Sequence, residues 1–555
     1  MPHVITQSCC GDGSCVYACP VNCIHPSPDE PGFATTEMLY IDPVACVDCG
    51  ACVSACPVGA ILPGSRLSPE QLPFAAVNAA HYPPRAAGEK LPPTTKLAPV
   101  LPAPRLDRPG LTVAVVGSGP AGMYAADELL TQAGVRVNVF DALPTPYGLV
   151  RAGVAPDHPS TRAITGLFDR MSRRRNFEFY LNTEVGRHIS HDELLDHHHA
   201  VLYAVGAAHE RRLGIAGIDL PGCASATDTV AWINGRPGFA DRGVDLGGER
   251  VVVIGNGNVA LDIARILTVD PQTLAGTDIS DPALAALRRS KVHEVVVAAR
   301  RGPADSAFTL PELIGLTTAV PVVLDPADRA LVHADLAGAH DRLTRAKLEI
   351  LAGLPEPGEV DGRRIRLAYK LTPQRVVGPE RLRAVEFTRT GTTETLTLDA
   401  GLLLTSIGYR ARPVPGLPFD DAAAVVPNVD GRVVDPATGE PVPGAYVAGW
   451  IKRGPSGFIG TNKSCAMQTV AALVADYNAG RLRAPRRRPR HLEDLLRQRQ
   501  PDLVDGAGWR AIDAAETARG AASGRPRVKF TSVPEMLAAS RTPASRRKRL
   551  RHALR

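Results

Sequence analysis

Short apolar runs alternate with longer amphipathic stretches along most of the chain from residue 111 onward. The runs with the length of a buried strand are LTVAVVG at 111, VRVNVFD at 135, AVLYAVG at 200, RVVVIG at 250, EVVVAAR at 294, LLLTSIG at 402 and AYVAGW at 445. The stretches between them can hold helices, so the pattern predicts a parallel α/β architecture. Aromatic residues make up only 5% of the chain, beside 49 prolines and 51 glycines, which suits an α/β fold with many tight turns better than a β-sandwich.

No apolar run approaches the roughly 18 residues that a membrane-spanning helix needs. The opening MPHVITQSCC lacks the basic segment and apolar core of a secretory signal. We therefore expect a cytoplasmic protein with no membrane span.

Nine of the eleven cysteines lie within the first 56 residues, which favours a metal module over a disulfide framework. The run Cys46-x2-Cys49-x2-Cys52-x3-Cys56-Pro57 has the spacing of bacterial ferredoxins, in which three thiolates bind one cluster and the fourth binds a second. The upstream run Cys9-x2-Asp12-x2-Cys15-x3-Cys19-Pro20 has the same spacing. The interleaved pattern predicts two ligand sets: a [4Fe-4S] cluster on Cys19, Cys46, Cys49 and Cys52, and a second cluster on Cys9, Cys15 and Cys56.

An aspartate, Asp12, stands where the second cysteine of the upstream run would be. The second cluster therefore has three thiolate ligands. It is either [3Fe-4S] or a [4Fe-4S] cluster whose remaining iron binds a carboxylate oxygen of Asp12.

Cys10 could replace Cys9, and Cys23 lies four residues after Cys19, but we assign neither Cys10 nor Cys23 as a ligand. A zinc module is the rival interpretation of the cysteine pairs. Seven cysteines with two x3-Cys-Pro ends exceed what one tetrahedral zinc binds, so the iron–sulfur interpretation is preferred.

Charge is divided unequally along the chain. Residues 1–62 contain six acidic residues and no lysine or arginine, whereas the whole chain has a net charge of +6, so the remainder carries +12. This asymmetry predicts an acidic module that docks on a basic body, and it makes nucleic acid the weaker choice of partner.

The first of two glycine-rich turns, Gly117-Ser118-Gly119-Pro120-Ala121-Gly122, follows one apolar run and precedes a helical stretch. Its glycines permit a tight turn, close approach of a pyrophosphate, and packing of helix on strand. Asp141 ends the next predicted strand, at the distance along the chain expected of a ribose ligand. The turn predicts a dinucleotide site.

The second turn, Gly255-Asn256-Gly257-Asn258-Val259-Ala260, has the same context but a different ending. Where the following strand ends, Arg300 and Arg301 replace the acid. Two guanidinium groups at this place favour a ribose 2′-phosphate, so the second nucleotide is predicted to be NADP rather than NAD.

The segments GSGPAGMYAADEL, LPTPYGLVRAGVAPDHP, VIGNGNVALDIAR, ARRGP and GWIKRGPSGFIGTNK resemble the adrenodoxin-reductase-like ferredoxin–NADP reductases, in the form fused behind a two-cluster ferredoxin. The resemblance runs almost end to end. It implies an α/β flavoprotein with two dinucleotide-binding domains, a Rossmann-like FAD domain with an inserted NADP domain, preceded by a small α+β bacterial ferredoxin-like domain. The implied layout is an iron–sulfur domain at 1–62, a Pro-rich linker at 63–109, FAD-domain segments at 110–208 and 401–535, the NADP domain at 209–400, and a basic tail at 536–555.

The resemblance also implies which residues bind the two nucleotides. Besides the glycines of the first turn, it assigns FAD to Ala121, Asp141, Leu149, Val185, Trp450, Gly457, Phe458 and Ile459. It assigns NADP(H) to Arg211, Asn256, Gly257, Asn258, Val259, Arg300, Arg301, Glu312 and Gly457.

Two positions depart from the family pattern. Asp141 replaces the usual glutamate, which shortens the reach to the ribose. Gly315 stands where relatives carry a further acid near the nicotinamide pocket, so the role of that acid does not transfer. His158 is then the nearest titratable candidate for catalysis, with a purely structural histidine as the alternative.

The sequence therefore predicts a ferredoxin–NADP oxidoreductase. FAD exchanges a hydride with NADP(H) and single electrons with iron–sulfur clusters, including those of the chain's own N-terminal domain. Its partners are NADPH and a ferredoxin or another one-electron acceptor. The alternatives are an electron-feeding subunit of a larger, glutamate-synthase-like enzyme, and a redox-sensing interaction module.

Overall fold

Residues 2–83 fold as a small α+β unit, which we call the N-terminal domain. The structure of the protein is a computed structural model, and it describes residues 2–83, 98, 104–207, 209–338 and 340–541. The elements of the N-terminal domain are β1 (His3–Ile5), α1 (Ser14–Ala18), β2 (Ile24–His25), β3 (Tyr40–Ile41), α2 (Ala51–Ala55), β4 (Ile61–Pro63), a 3-10 turn (Gly64–Arg66) and α3 (Pro73–His81). β1 pairs antiparallel with β4, and β2 pairs antiparallel with β3. The two antiparallel strand pairs and the two short helices α1 and α2 make an internal repeat.

Helix α3 lies in the stretch where the proline content predicts a linker, and the structure corrects that expectation. Pro73 occupies the first turn of the helix, where its missing N–H costs nothing. Asn78 is buried, and its side-chain amide accepts from the N–H groups of Ile5 and Ile41 and donates to the carbonyls of Ile5 and Phe74, over 2.8–3.2 Å. α3 therefore fastens the two strand pairs together. Residues 84–97 and 99–103 of the predicted linker lie outside the described residues.

The part of the chain that follows the N-terminal domain runs from residue 104 to residue 207. Its elements are β5 (Thr112–Val116), α4 (Pro120–Leu130), β6 (Arg136–Asp141), α5 (Gly148–Ala152), α6 (Pro159–Arg162), α7 (Thr165–Ser172), β7 (Phe177–Leu181), α8 (His191–His197) and β8 (Ala200–Tyr203).

The middle part of the chain forms a second α/β layer structure. Its strands are β9 (His209–Glu210), β10 (Cys223–Ser225), β11 (Arg250–Ile254), β12 (Glu294–Ala298), β13 (Val322–Leu324), β14 (Arg364–Ala368), β15 (Leu371–Val377), β16 (Ala384–Arg389), β17 (Thr395–Asp399), β18 (Leu402–Thr405) and β19 (Tyr409–Arg410). Its helices are α9 (Ala226–Ile233), α10 (Asn258–Thr268), α11 (Pro271–Ala275), α12 (Asp281–Arg288), α13 (Leu310–Ala319), α14 (Pro326–Leu336) and α15 (Arg342–Ala352), with 3-10 turns at Pro303–Asp305 and Pro357–Glu359.

The last part returns to the first sheet and ends in helices. Its elements are β20 (Asn428–Val429), β21 (Arg432–Val434), β22 (Pro441–Val447), α16 (Trp450–Arg453), α17 (Thr461–Asn478), α18 (Pro489–Arg499), α19 (Gly506–Ala522) and α20 (Val533–Ser540).

Two central sheets organise these parts into two Rossmann domains. The first Rossmann domain is built on a seven-stranded sheet with the order β20-β21-β22-β8-β5-β6-β7. The inserted Rossmann domain is built on a six-stranded parallel sheet with the order β10-β18-β11-β12-β14-β13, beside an antiparallel sheet β15-β16-β17. The short pair β9–β19 lies where the chain leaves and re-enters the first domain. All seven apolar runs of the sequence form strands of these sheets, and the predicted fold class is confirmed.

Two predicted boundaries differ from the structure. β18 lies between β10 and β11 in the inserted sheet, whereas the sequence layout begins the second FAD segment at residue 401. All four residues of β18 are buried, which suits the middle of a parallel sheet. At the other end, α20 is folded to Ser540 although a tail is predicted from 536, and the basic stretch 542–555 lies outside the described residues. Among the described residues, the structure contains no helix with the length and apolar character to cross a membrane.

Candidate functional site

The first glycine-rich turn joins β5 to α4 and has the shape that a pyrophosphate needs. Gly117 has φ +103°, and a Cβ there would lie 2.4 Å from the carbonyl oxygen of Ala204. A Cβ at Gly122 would lie 1.9 Å from the carbonyl oxygen of Gly117, whereas a Cβ at Gly119 would meet no atom within 4 Å. The first and third glycines are therefore required by the turn and the packing, and the second faces open space at the helix N-terminus, where a phosphate is favoured.

Asp141 ends β6 directly beside this turn. Its Oδ2 accepts hydrogen bonds from the backbone N–H, over 2.9 Å, and from the hydroxyl of Ser118. Its Oδ1 accepts from the N–H of Leu143 over 3.0 Å. The carboxylate is thus held at the carboxyl end of the sheet, at the place where the sequence predicts a ribose contact.

The second turn joins β11 to α10 and repeats the arrangement. Gly255 has φ +112°, with a Cβ position 2.1 Å from the carbonyl oxygen of Ser406, and Gly257 again faces open space. Arg300 and Arg301 follow β12, the neighbour of β11, and both are exposed. The Arg301 guanidinium lies 3.7 Å from the Asp305 carboxylate, an exposed pair that a phosphate would compete with at little cost.

The remaining predicted nucleotide residues lie on several elements of the two Rossmann domains. Leu149 is on α5, Val185 follows β7, and Arg211 follows β9 with its side chain exposed. Trp450 begins α16, and its indole N–H donates to the carbonyl of Ser456 over 3.0 Å. The segment Gly457–Ile459 leads directly into the 18-residue helix α17.

His158 lies in a group of charged side chains between the domains. Its Nε2 is 4.0 Å from Glu312 Oε1, and its Nδ1 is 4.0 Å from Asp262 Oδ1. The buried guanidinium of Arg265 donates to Asp262, to Glu312 and to Asp157 over 2.6–2.8 Å. Because this arginine already supplies a cation to all three carboxylates, the cluster is poorly suited to a metal ion.

Glu312 is the perturbed member of this group. Burial, together with the negative charge of Asp262, raises the pKa of Glu312 to about 7, although His158 and Arg265 act in the opposite direction. A carboxyl group with that pKa binds and releases a proton near neutral pH, which is a common property of functional sites.

Four of the predicted cluster ligands surround one small cavity of the N-terminal domain, which we call the outer cluster site. Its cysteines are Cys19, Cys46, Cys49 and Cys52. Cys23 also lines the cavity, and its sulfur lies 3.4 Å from that of Cys19. A hydrogen bond with Cys23 lowers the pKa of the Cys19 thiol. Four thiols around one cavity are a donor set that suits an iron–sulfur cluster.

The other three predicted ligands, Cys9, Cys15 and Cys56, form a second group with Asp12, which we call the inner cluster site. Burial, followed by the nearby Cys56 and Asp12, raises the pKa of the Cys9 thiol to about 11. Burial, Cys9, Asp12 and Cys56 raise the pKa of Cys15 in the same way. Such mutual charge effects show that the four groups are neighbours, and a bound metal cluster would stabilise their thiolates.

The residues that join the N-terminal domain to the rest of the molecule are absent from the sequence-based assignments. Gly460 bonds to Cys10, Lys463 contacts Ser14, and Glu37 pairs with Lys347. The charge asymmetry and the departure at Gly315 were the available signals. Neither signal identifies a partner, because each contact joins residues hundreds of positions apart.

Two family models match the chain. The model for pyridine nucleotide-disulphide oxidoreductases matches residues 111–299, and the model for 4Fe-4S dicluster domains matches residues 8–60.

The chain is also similar to whole proteins. It is 68% identical over 546 residues to a probable ferredoxin/ferredoxin–NADP reductase of Mycobacterium tuberculosis, covering 97% of this chain and 95% of that protein. It is 40% identical over 455 residues to the human mitochondrial NADPH:adrenodoxin oxidoreductase, covering 77% and 91%. Among solved structures, Mycobacterium tuberculosis FprA in complex with NADPH matches with a TM-score of 0.72 and 41% identity, over 78% of this chain and all of that one.

Proposed function

The chain belongs to the ferredoxin/ferredoxin–NADP reductases, oxidoreductases that use FAD, NADP(H) and iron–sulfur clusters, and on that premise we propose which residues carry the activity. The observation that supports the proposal most strongly is that two nucleotide turns and two cysteine groups lie on one chain, with the cysteine domain packed against the segment that follows Gly457–Ile459. A separate redox partner is therefore not needed for the first electron transfers.

We assign FAD to the first Rossmann domain. The open backbone at Gly119 and the N-terminus of α4 receive the pyrophosphate, and Asp141, held by Ser118, receives the ribose. Leu149, Val185, Trp450 and the segment Gly457–Ile459 at the start of α17 would hold the rest of FAD.

We assign NADP(H) to the inserted Rossmann domain. Asn256–Val259 bind the pyrophosphate at the N-terminus of α10, and Arg300 and Arg301 bind the 2′-phosphate. Arg211, directly after β9, is assigned to the same nucleotide. This assignment explains why the acid of the first turn has no counterpart in the second.

The bound flavin supplies the conversion of a two-electron hydride donor into single electrons. The protein contributes position and charge. His158 Nε2 lies 4.0 Å from Glu312 Oε1, which is too far for a direct hydrogen bond, and Arg265 fixes the Glu312 carboxylate. His158 is our candidate catalytic residue.

We assign a [4Fe-4S] cluster to the outer site and a [3Fe-4S] or [4Fe-4S] cluster to the inner site. Asp12 accepts from the N–H of Ser14 over 3.3 Å and from its hydroxyl, and it lies 3.6 Å from the Lys463 ammonium. These partners compete with iron for the carboxylate oxygens, which favours the three-iron form.

The purified holoprotein tests the proposal. We expect one FAD, about seven iron atoms and matching acid-labile sulfide, with NADPH reducing first the flavin and then the clusters under anaerobic conditions. Zinc without sulfide would contradict the cluster assignment.

Replacing both arginines, Arg300→Ala with Arg301→Ala, should raise KM for NADPH far more than KM for NADH, because only NADPH carries the 2′-phosphate. The exposed pair Arg288→Ala with Arg289→Ala removes the same charge from the same domain and is the matched control. Equal effects on both nucleotides would reject the 2′-phosphate assignment.

A further inference from the structure

The N-terminal domain contacts the first Rossmann domain through the loop of the inner cluster site. The backbone N–H of Gly460 donates to the carbonyl oxygen of Cys10 over 2.7 Å. The Lys463 ammonium donates to Ser14 Oγ over 2.8 Å and lies 3.6 Å from Asp12 Oδ2. The loop therefore binds the first turn of α17 by both backbone and charge.

Gly460 is required by this contact rather than by its own backbone. Its φ is −72°, which any residue adopts. A Cβ there would lie 2.2 Å from the backbone nitrogen of Asp12 and 2.4 Å from the carbonyl oxygen of Cys10. Both atoms belong to the backbone and cannot rotate away, so only glycine permits this approach.

A second glycine makes the corresponding contact with the inserted Rossmann domain. Gly315 lies in the middle of α13, where glycine destabilises a helix relative to alanine. A Cβ at this position would lie 2.2–2.6 Å from the side-chain atoms of Gln7. The position that departs from the family pattern is thus occupied by the N-terminal domain.

The surroundings of Gly315 strengthen this contact. Leu310 and Ile314 of α13 belong to the same apolar cluster as the core of the N-terminal domain. Glu37 accepts from the N–H of Leu310 over 2.7 Å at the N-terminus of α13, where a carboxylate is favoured, and it also pairs with Lys347. Arg342 donates to the carbonyl of Tyr82 over 2.7 Å.

The two cluster sites are oriented differently by these contacts. Cys9, Cys56 and Ile459 of the Gly457–Ile459 segment pack against one apolar cluster, that of the first Rossmann domain. At the outer site, Cys49 is exposed, and the neighbouring Val44 and Val47 are 60% and 58% exposed. The inner site therefore faces the flavin segment and the outer site faces solvent.

We propose that Gly315 and Gly460, the docking glycines, hold the N-terminal domain in a pose that makes the inner cluster the first acceptor of electrons and the outer cluster the exit to an external acceptor. This inference rests on the proposed function. The two electrons of one NADPH hydride leave the bound flavin one at a time, pass to the inner cluster and then to the outer cluster, and the flavin proton is released to water. The clusters are reduced and NADPH is oxidised to NADP+.

The test uses the full-length holoprotein and the substitution Gly460→Ala. FAD content and flavin reduction by NADPH should be unchanged, while NADPH-dependent reduction of both clusters slows by at least about tenfold, because electron transfer depends on this approach. Dithionite should still reduce both clusters. Gly276→Ala, whose Cβ would meet no atom within 4 Å, is the matched control.

A carbodiimide cross-link between Glu37 and Lys347, identified by mass spectrometry, reports the pose without any electron transfer. The cross-link should form in the wild-type protein and be lost in Gly460→Ala. If Gly460→Ala fails to fold or loses FAD, Gly315→Leu serves in its place, because it inserts a side chain at Gln7 from the inserted Rossmann domain and leaves the Gly457–Ile459 segment unchanged.

The outcomes are distinguishable. Wild-type cross-linking in these variants, or loss of the cross-link with wild-type cluster reduction, overturns the inference and leaves the proposed function intact. A wild-type protein whose clusters respond to dithionite but never to NADPH instead overturns the proposed intramolecular transfer.

Discussion

The N-terminal domain has two similar halves, one containing Asp12 and α1 and the other containing Cys49 and α2. The backbone on either side of the two helices is nearly the same, whereas the surroundings of the two halves differ. Gly13 and Gly50 precede α1 and α2 with φ values of 72° and 73°. Cys19 and Cys56 end the two helices with φ of −78° and −76° and the same ψ of 115°. The repeated cysteine spacing and the two left-handed glycines therefore determine the local fold of each half.

The halves differ at the position that Asp12 and Cys49 share. Asp12 is 7% exposed and lies against Lys463 of the first Rossmann domain, whereas Cys49 is exposed. The cysteine spacing thus determines the ligand arrangement of each cluster site. In the proposed electron path, the contact with the first Rossmann domain determines which cluster receives electrons from the flavin and which one delivers them to an external acceptor.

The link between the halves should be the most sensitive point. Asn78→Ala leaves two buried N–H groups and a carbonyl without their partner, so we expect a loss of about 3 kcal/mol in the free energy of unfolding of the N-terminal domain. Both clusters should be lost together at lower urea concentration, measured by visible absorbance. Leu72→Ser, at a position that is 56% exposed on the preceding turn, is the control and should change little. Separate loss of the two clusters would show that the halves fold independently.

The next largest effect should come from reversing the charge on the docked side. Lys463→Glu places a second carboxylate beside that of Asp12. We expect NADPH-dependent cluster reduction to slow about tenfold, and high salt should reduce the difference from the wild-type protein. Stopped-flow absorbance measures the rates. Arg483→Glu makes the same charge change at an exposed site of the same domain and should have no such effect. If both variants behave alike, net charge rather than this contact controls docking.

A smaller effect is expected on the solvent-facing side. Val47→Lys should leave intramolecular reduction of the clusters unchanged and slow electron delivery to the basic protein cytochrome c by about two- to fivefold. Val429→Lys, at a position of similar exposure, 59%, outside the N-terminal domain, is the control. Slower cluster reduction by NADPH in Val47→Lys would mean that electrons enter at the solvent-facing half.

The smallest change should follow from making the two halves alike. Asp12→Cys completes the upstream motif, and we expect the iron content to rise by about one atom and the electron paramagnetic resonance signal of an oxidised three-iron cluster to disappear. The fold should be unaffected, because Gly13 and α1 are retained. A wild-type spectrum that already lacks the three-iron signal would show that the inner site binds four irons without this substitution.

Much of this architecture could be predicted from the sequence because its signals are local. Strand periodicity, the two glycine-rich turns and the spacing within each cysteine run are short-range patterns. α3 was missed because Pro73 reads as part of a proline-rich stretch, although it occupies the one helical turn that tolerates it.

The docking contacts could not be predicted, since their meaning depends on partners distant in the chain. In the sequence, Gly460 is one of several glycines in the segment GWIKRGPSGFIGTNK. Gly315 is only a position at which the acidic residue of the family pattern is missing. Only the folded molecule brings Cys10 and Gln7 to these positions.

The central claim is that electrons enter the N-terminal domain at the inner cluster and leave at the outer cluster. The most direct measurement is freeze-quench electron paramagnetic resonance of Cys15→Ser and Cys49→Ser holoproteins mixed with NADPH, with dithionite reduction as proof that the remaining cluster is intact. We predict that Cys49→Ser still reduces its inner cluster at the wild-type rate, whereas the outer cluster of Cys15→Ser responds to dithionite but not to NADPH. Rapid reduction of the outer cluster by NADPH in Cys15→Ser would contradict the account.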